Sequence, residues 1–191
     1  MQLTLVENFY SWARTVLFGN VNNNGAISQG VNSEGIRPVL GELKDTTGTL
    51  LQSIAFKASD RYTTWNGFTL STLGYLNTNE QNSCTTIFRA GTDNTITQKE
   101  DYELKNKIEM GLTYTVAVSH AKNGLIYNLV IYNNAQENKE ISEIGLYKIL
   151  QTNTEGSNAV YGTFLLGRVT LDTPEVIAPL TSKAYQITLE L

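Results

Sequence analysis

The sequence predicts a mainly β protein, an antiparallel β-sandwich of jelly-roll or immunoglobulin-like type with one N-terminal α-helix. Three observations support this prediction. Short apolar segments recur between Gly- and Asn-rich turns along most of the chain. A hairpin pattern stands in the middle, and the last residues alternate between apolar and polar. Helical periodicity is clear only near the N-terminus, so we expect a helical arm over 1–18 and a sandwich domain over 19–191.

The composition is that of one soluble globular domain. The chain has 191 residues, of which 41% are hydrophobic and 17% are charged. That length is sufficient to bury a core. A net charge of −4 gives no basic footprint for nucleic acid, and no apolar stretch is long enough to span a membrane. We therefore expect neither nucleic acid nor membrane among the partners.

The predicted helix covers residues 4–18. Thr4 and Glu7 fit a capping box, in which the two side chains bind free N–H groups at a helix start, and Gly19 is placed to end the helix. The helix has an apolar stripe, which must be buried somewhere. It packs either on its own domain or on a neighbouring subunit, and we assign the docking element to it. The stripe consists of Leu5, Phe9, Trp12 and Val16.

Strand patterns follow a polar segment. Residues 20–34 are rich in Asn and Gly and predict a loop with an edge hairpin. Apolar runs then predict strands over 50–56, 68–73 and 85–90.

The clearest hairpin lies between residues 113 and 132. Alternating residues lead into Asn123-Gly124, a pair typical of a type I′ turn, and the return strand is apolar on both faces, as in a central strand. At the C-terminus one face of a final strand is apolar. That face consists of Tyr185, Ile187, Leu189 and Leu191.

The sequence contains one cysteine and one histidine, and neither belongs to a recognisable catalytic set. Cys84 is the only cysteine, which excludes an intrachain disulfide, and its apolar neighbours favour a buried small residue over a reactive thiol. His120 is the only histidine and ends a predicted strand, which favours an exposed hairpin position. Glycine-rich phosphate loops are absent from the sequence, and Glu7 and Arg14 interrupt any signal-peptide pattern.

A small acidic group follows residue 92. Glu100, Asp101 and Glu103 surround Tyr102, with Asp93 upstream. Paired carboxylates suit glycoside hydrolysis or Ca²⁺ binding, and a hydrolase using Glu100 and Asp101 is the enzymatic alternative. Lysines flank the group, however, so we favour a solvated, locally paired run of charges.

An aromatic group lies between residues 62 and 75. Aromatic rings with Asn and Asp nearby stack on sugars, which makes glycan binding one interpretation. Core aromatics of a sandwich are the other, and we favour it. The candidate glycan-binding residues are Tyr62, Trp65 and Phe68, with Tyr75 close by.

A series of motifs in the second half of the chain resembles a family of small virion structural proteins of tailed bacteriophages. The resemblance covers residues 88–191, and 1–18 more loosely through Asn8-Phe9-Tyr10-Ser11-Trp12. The chain departs from the family pattern at Ala90-Gly91-Thr92, and at Pro179-Leu180, where Pro-Gly is usual. The motifs are Phe88-Arg89-Ala90-Gly91-Thr92-Asp93, Asp101-Tyr102-Glu103-Leu104, Ile144-Gly145-Leu146-Tyr147, Leu165-Leu166-Gly167-Arg168-Val169-Thr170-Leu171, Pro174 and Ile177-Ala178-Pro179.

The resemblance implies a non-enzymatic component of a virion that is made in the bacterial cytoplasm. It implies contacts with capsid, neck, tail or fibre proteins in many copies or as a homo-oligomer, and no catalytic residue, metal or cofactor. The alternative is a carbohydrate- or receptor-binding module of a virion appendage. Two motif residues have physical roles of their own. Gly145 suits a bulge or close approach, and Arg168 is placed to bind a carboxylate such as Glu143 across the sheet.

Overall fold

The structure is a computed structural model that describes residues 1–18, 27–28, 43–50, 53–54, 86–155 and 158–190. Within these ranges the protein is mainly β, with antiparallel sheets and one short helix, which confirms the prediction of a mainly β protein with an N-terminal helix. The helix α1 spans Glu7–Phe18. The strands are β1 Thr4–Leu5, β2 Ile27–Ser28, β3 Ser53–Ile54, β4 Thr86–Gly91, β5 Leu112–Ala121, β6 Gly124–Asn133, β7 Lys139–Glu155, β8 Asn158–Ile177 and β9 Ser182–Glu190.

The largest described sheet has four strands in the order β1-β8-β7-β4, all antiparallel. Its centre is the long hairpin of β7 and β8, whose register shifts at three places. Such bulges bend a strand and change which face a side chain occupies. The predicted strand over 85–90 is confirmed as β4. A separate two-stranded pair joins β2 to β3, inside the predicted regions 20–34 and 50–56.

The second large sheet has three strands in the order β5-β6-β9. The predicted hairpin is confirmed, and β6 is its central strand, paired with β5 on one side and β9 on the other. The predicted turn is wrong. Ala121 pairs with Gly124, so the loop residues are Lys122 and Asn123, and neither has the positive φ of a type I′ turn. Gly124 is needed for close approach, because a Cβ there would overlap the Leu189 carbonyl oxygen.

One hydrophobic cluster includes side chains from both large sheets. Phe88 of β4 and Tyr127 of β6 illustrate the contact, with ring centroids 5.2 Å apart in an edge-to-face arrangement. Alternate residues of β6 and β9 enter the cluster, as the period of a strand requires. The predicted buried face of the last strand is confirmed for Tyr185, Ile187 and Leu189, and Leu191 lies outside the described residues.

The N-terminal segment connects the two sheets. Leu3 donates its backbone N–H to Thr188 O of β9 at 2.9 Å, whereas Thr4 and Leu5 pair with β8 of the other sheet. The predicted helix start at residue 4 is therefore wrong. Thr4 is a strand residue and not a helix cap, and α1 begins at Glu7, whose carboxylate pairs with Lys99 at 3.0 Å.

The helix packs on its own chain. Phe9 is 5% exposed and Trp12 is fully buried, and both belong to the main cluster, with Leu5 partly buried against it. This is the first of the two alternatives for the apolar stripe, so we do not propose Phe9 or Trp12 as docking residues. The side chain of Val16 lies outside what the structure describes.

A tight turn precedes the last strand. Thr181 donates its backbone N–H to Ala178 O at 3.2 Å across Pro179 and Leu180. Leu180 has a φ of +56°, the only positive value found at a described non-glycine residue. Proline followed by a residue with positive φ is the pattern of a type II turn, in which glycine is favoured at the second corner. Leucine thus occupies a corner that suits glycine.

Candidate interaction surface

The three-stranded sheet has one buried face and one exposed face. In β6 the residues alternate between the two, so that Leu129 and Ile131 are fully buried while Asn128, Val130 and Tyr132 are exposed. Residues paired across an antiparallel sheet point to the same side, so the register identifies every member of the exposed face. It forms four rows, each written from β5 through β6 to β9: Thr113-Tyr132-Ser182, Thr115-Val130-Ala184, Ala117-Asn128-Gln186 and Ser119-Ile126-Thr188.

This outer face carries no charged side chain in its four rows. Ten of its members are exposed, and Ile126 and Thr188 are partly exposed. Soluble proteins place most of their charged residues on the surface, so four uncharged rows over three strands are unusual. Depletion of Asp, Glu and Lys with retention of aromatic residues is the composition of the centre of a protein interface.

The side chains of the outer face differ in size from strand to strand. Each strand contributes one column of four side chains. The larger side chains stand on the central strand β6, where Val130 and Tyr132 are each 37% exposed. Both flanking strands present mainly Thr, Ser and Ala, with Gln186 as the one long side chain. The face is therefore a shallow ridge along β6 with lower columns on both sides.

Polar groups border the outer face on the β9 side. The Met1 ammonium group donates to Gln186 O at 2.8 Å, and Gln2 Nε2 lies 3.1 Å from Glu190 Oε2. Glu190 belongs to a fifth row, with Ala121 and Gly124. An uncharged centre with a polar rim is typical of protein–protein contacts.

The four-stranded sheet carries a different feature, a buried ion cluster centred on Arg168. This side chain is fully buried and contacts three carboxylates. Arg168 Nε lies 2.6 Å from Glu143 Oε2, Nη1 lies 3.2 Å from Asp101 Oδ2, and Nη2 lies 3.1 Å from Asp93 Oδ1. The predicted Arg168–Glu143 pair is confirmed, and the guanidinium also ties the segment 92–107 to the sheet.

A bulge in β8 directs Arg168 to this side of the sheet. After the pair Tyr147↔Leu165 the register shifts, so that Leu166 is an extra residue. Leu166 points into the main core, and Leu165 joins Tyr147 in a second cluster on the opposite side. Without the shift, simple alternation would place Arg168 on the same side as Leu166.

Glu143 is fully buried and its oxygens are satisfied. Besides Arg168, the backbone N–H groups of Lys105 and Asn106 donate to it at 3.3 and 3.0 Å. Gly91 makes room for the carboxylate, because a Cβ there would overlap Glu143 Oε1. The motif glycine and the buried glutamate therefore depend on each other.

The expected local pairing of charges is found at Asp101, but the expected solvation is wrong for this residue. Asp101 is 5% exposed, accepts from Gln98 N at 2.9 Å and pairs with Lys105 Nζ at 2.6 Å. The exposed Glu100 shows the expected solvation. Sequence reasoning missed the burial because the partner Arg168 is 67 residues away from Asp101 along the chain.

Tyr147 forms a second buried link to the same segment. Its hydroxyl donates to Glu103 Oε1 and accepts the Leu104 N–H at 3.2 Å, while Arg89 lies over its ring at 5.3 Å. Burial first, and then the Glu103 carboxylate, raise the pKa of the Tyr147 phenol far above its ordinary value of 10.0. The phenol therefore stays protonated and serves as a hydrogen-bond donor that fixes the segment.

The carboxylates around Arg168 are arranged for structure. The carboxylates of Asp93, Asp101 and Glu143 are engaged by Arg168 and by backbone N–H groups. Among the described residues, no group of three or more His, Cys, Asp or Glu side chains is arranged to hold a metal ion.

Other residues singled out from the sequence fall in different places. His120 is exposed at the end of β5, as expected. Gly145 is a site of close approach, because a Cβ there would lie 2.7 Å from the Tyr147 ring and 3.0 Å from both Leu104 and Leu165. The possible glycan-binding residues and the lone cysteine lie outside the described residues, as does the predicted strand over 68–73. These residues are Tyr62, Trp65, Phe68 and Cys84.

Sequence reasoning also missed the outer face, although the sequence carries a signal for it. Between Met110 and Glu137, Lys122 is the only Asp, Glu, Lys or Arg residue. Both strands of the hairpin lie in this stretch, and Lys122 falls in its loop. A long uncharged hairpin with alternating Thr, Ser and Ala on one side therefore indicates an exposed uncharged face.

Comparisons of this chain with protein-family models, with curated proteins and with solved structures find no match. Among the residues that the structure describes, no helix is both long and apolar enough to cross a membrane.

Proposed function

We propose that this chain is a non-enzymatic structural component of a tailed-phage virion, built as a β-sandwich and acting through protein–protein contacts. Its place would be on the capsid, at the neck, in the tail or at a fibre attachment. The observation that carries the proposal is the outer face, which is uncharged over four rows and holds Val130 and Tyr132 at its ridge.

Two further observations support this proposal. The motifs around Gly91, Gly145 and Arg168 resemble those of small virion proteins, and in this chain they serve packing. Side chains from both large sheets share one hydrophobic cluster, as a sandwich requires. A scaffold with one uncharged face suits repeated placement on a symmetric particle, where many weak contacts add up to stable attachment.

The first test is to locate the chain in particles. We expect mass spectrometry of purified virions from the phage that carries the gene to find the chain in multiple copies, and labelled antibodies to bind at a repeated position. Purified particles that lack the chain, from cells that express it, would contradict the proposal.

The second test asks whether the outer face makes the attachment. Val130→Lys places a charge at the centre of the face, and Val176→Lys is the matched control, since Val176 is 54% exposed on β8. We expect Val130→Lys to abolish incorporation and Val176→Lys to preserve it. Equal incorporation of both variants would show that attachment uses another surface.

A further inference from the structure

We infer that the outer face binds the same face of a second copy of this chain across a two-fold axis. The inference rests on the proposed function, because it names the partner of the surface through which that function acts. A two-fold contact uses one patch twice. The patch must therefore be complementary to itself in charge and in shape, and it must be large enough to hold two copies together.

Charge is the first condition. The chain carries a net charge of −4, so two copies repel each other over most approaches. The four rows of the outer face carry no charge, so two copies can approach closely on this surface without repulsion between facing side chains. A partner recognised by its charge would instead find no ion-pairing group within these rows.

Shape is the second condition. The ridge along β6 stands beside a lower column on β5 formed by Thr113, Thr115, Ala117 and Ser119. In a two-fold arrangement displaced by one strand, the ridge of each copy lies over the β5 column of the other. Val130 and Tyr132 then contact small side chains of the partner copy, and the two contacts are equivalent by symmetry.

Area is the third condition. Strands about 4.8 Å apart and rows about 7 Å apart give the outer face roughly 400 Å² of flat area. The displaced arrangement covers two of the three columns, which is roughly 270 Å² of flat area on each copy. Side-chain relief adds to this figure, so two copies bury on the order of 700 Å² together, the size of a weak, transient contact. We therefore expect association in the micromolar range, strengthened where many copies are held on one particle.

The test is sedimentation equilibrium of the full chain at about 5 to 200 μM, with circular dichroism to confirm folding. We expect the wild type and Val176→Lys to dimerise in this range and Val130→Lys to remain monomeric. A monomeric wild type would overturn the inference, as would a Val130→Lys variant that still dimerises. If the wild type is monomeric and Val130→Lys still fails to enter virions, the proposed function stands and the partner is another virion protein.

A second pair of variants tests the displaced arrangement. Thr115→Glu puts a negative charge in the β5 column, and Val130→Lys puts a positive charge on the ridge. Each variant alone places like charges near the two-fold axis and is expected to stay monomeric. An equimolar mixture is expected to recover dimer, because opposite charges then face each other. A mixture that stays monomeric would overturn the arrangement of ridge over column.

Discussion

Glu143 and Arg168 lie on neighbouring strands and pair diagonally across the sheet, with Arg168 Nε 2.6 Å from Glu143 Oε2 and both side chains fully buried. Each of the two buried charges compensates the other, since the desolvation of an unpaired charge costs several kcal/mol. Because Arg168 also binds Asp93 and Asp101, one guanidinium connects β7, β8 and the segment 92–107. The outer side of the four-stranded sheet is thereby covered by the chain itself, and the three-stranded sheet presents the uncharged face.

Removing the guanidinium tests this role. Arg168→Ala leaves the Glu143 carboxylate buried without its counter-charge, and we expect the free energy of unfolding to fall by about 3–5 kcal/mol. The measurement is the midpoint and slope of urea unfolding. An unchanged midpoint would contradict the assigned role of the cluster.

The conservative substitution distinguishes charge from geometry. Arg168→Lys keeps the charge and loses the planar set of five N–H donors that reaches three carboxylates. We expect an intermediate loss of stability. A lysine variant as stable as the wild type would show that charge alone is sufficient.

Gly91 and Glu143 are expected to be coupled. Gly91→Ala adds a methyl group where Glu143 Oε1 lies, and overpacking of this kind costs about 1–3 kcal/mol. Glu143→Ala removes the nearest clashing atom and leaves the Asn106 carbonyl oxygen at 2.7 Å, so the double variant should lose less than the sum of the two single losses, by about 1 kcal/mol. Urea unfolding of the four proteins measures the coupling, and additive losses would contradict it.

Local patterns were sufficient to predict part of this fold. The hairpin of β5 and β6 and the buried face of β9 follow from period-two alternation within each strand. The diagonal pair of Glu143 and Arg168 was also accessible, because both residues stand in recognisable strand motifs.

The failures come from contacts between distant residues. The pattern of Thr4 and Glu7 predicts a helix start, but Thr4 pairs with Arg168 in the sheet, 164 positions further along the chain. Asp101 appeared solvated for the same reason, since its burial depends on residues of β8. The prediction of a type I′ turn was wrong because the loop lies one residue earlier than the Asn-Gly pair. The pair alone does not determine the register of the two strands. Tertiary pairing overrode a valid local signal in each case.

Acid is expected to loosen the segment 92–107 through Asp93. Hydrogen bonds from Thr95, and in smaller part from Arg168, lower the pKa of Asp93 below its ordinary value of 3.8. Its contribution to stability is therefore complete above the unfolded-state pKa and is lost as the pH falls through the lower folded-state pKa. Between about pH 5 and pH 2, Asp93→Asn should lose stability less steeply than the wild type.

Unfolding in urea at a series of pH values measures that difference in slope. Asp172→Asn is the matched control, since Asp172 is also an aspartate on the described surface and is exposed on β8. Parallel curves for Asp93→Asn and the wild type would show that Asp93 does not contribute to the acid dependence.

The turn at Leu180 gives the last prediction. Leu180 has a φ of +56° and is 53% exposed, so it is strained while burying only part of its side chain. At an ordinary position glycine is less stable than alanine by about 0.5–1 kcal/mol. A positive φ costs an L-residue about 1–2 kcal/mol, so the order should reverse here.

We therefore expect Leu180→Gly to be more stable than Leu180→Ala by roughly 0.5–1 kcal/mol. Leu180→Val should be the least stable of the three, since a β-branched residue tolerates this backbone conformation poorly. Thermal unfolding of the three variants measures the order. If alanine proved more stable than glycine, the left-handed conformation of the turn would be contradicted. Since Ser182 follows this turn directly and belongs to the outer face, a rigid corner here also fixes where β9 begins.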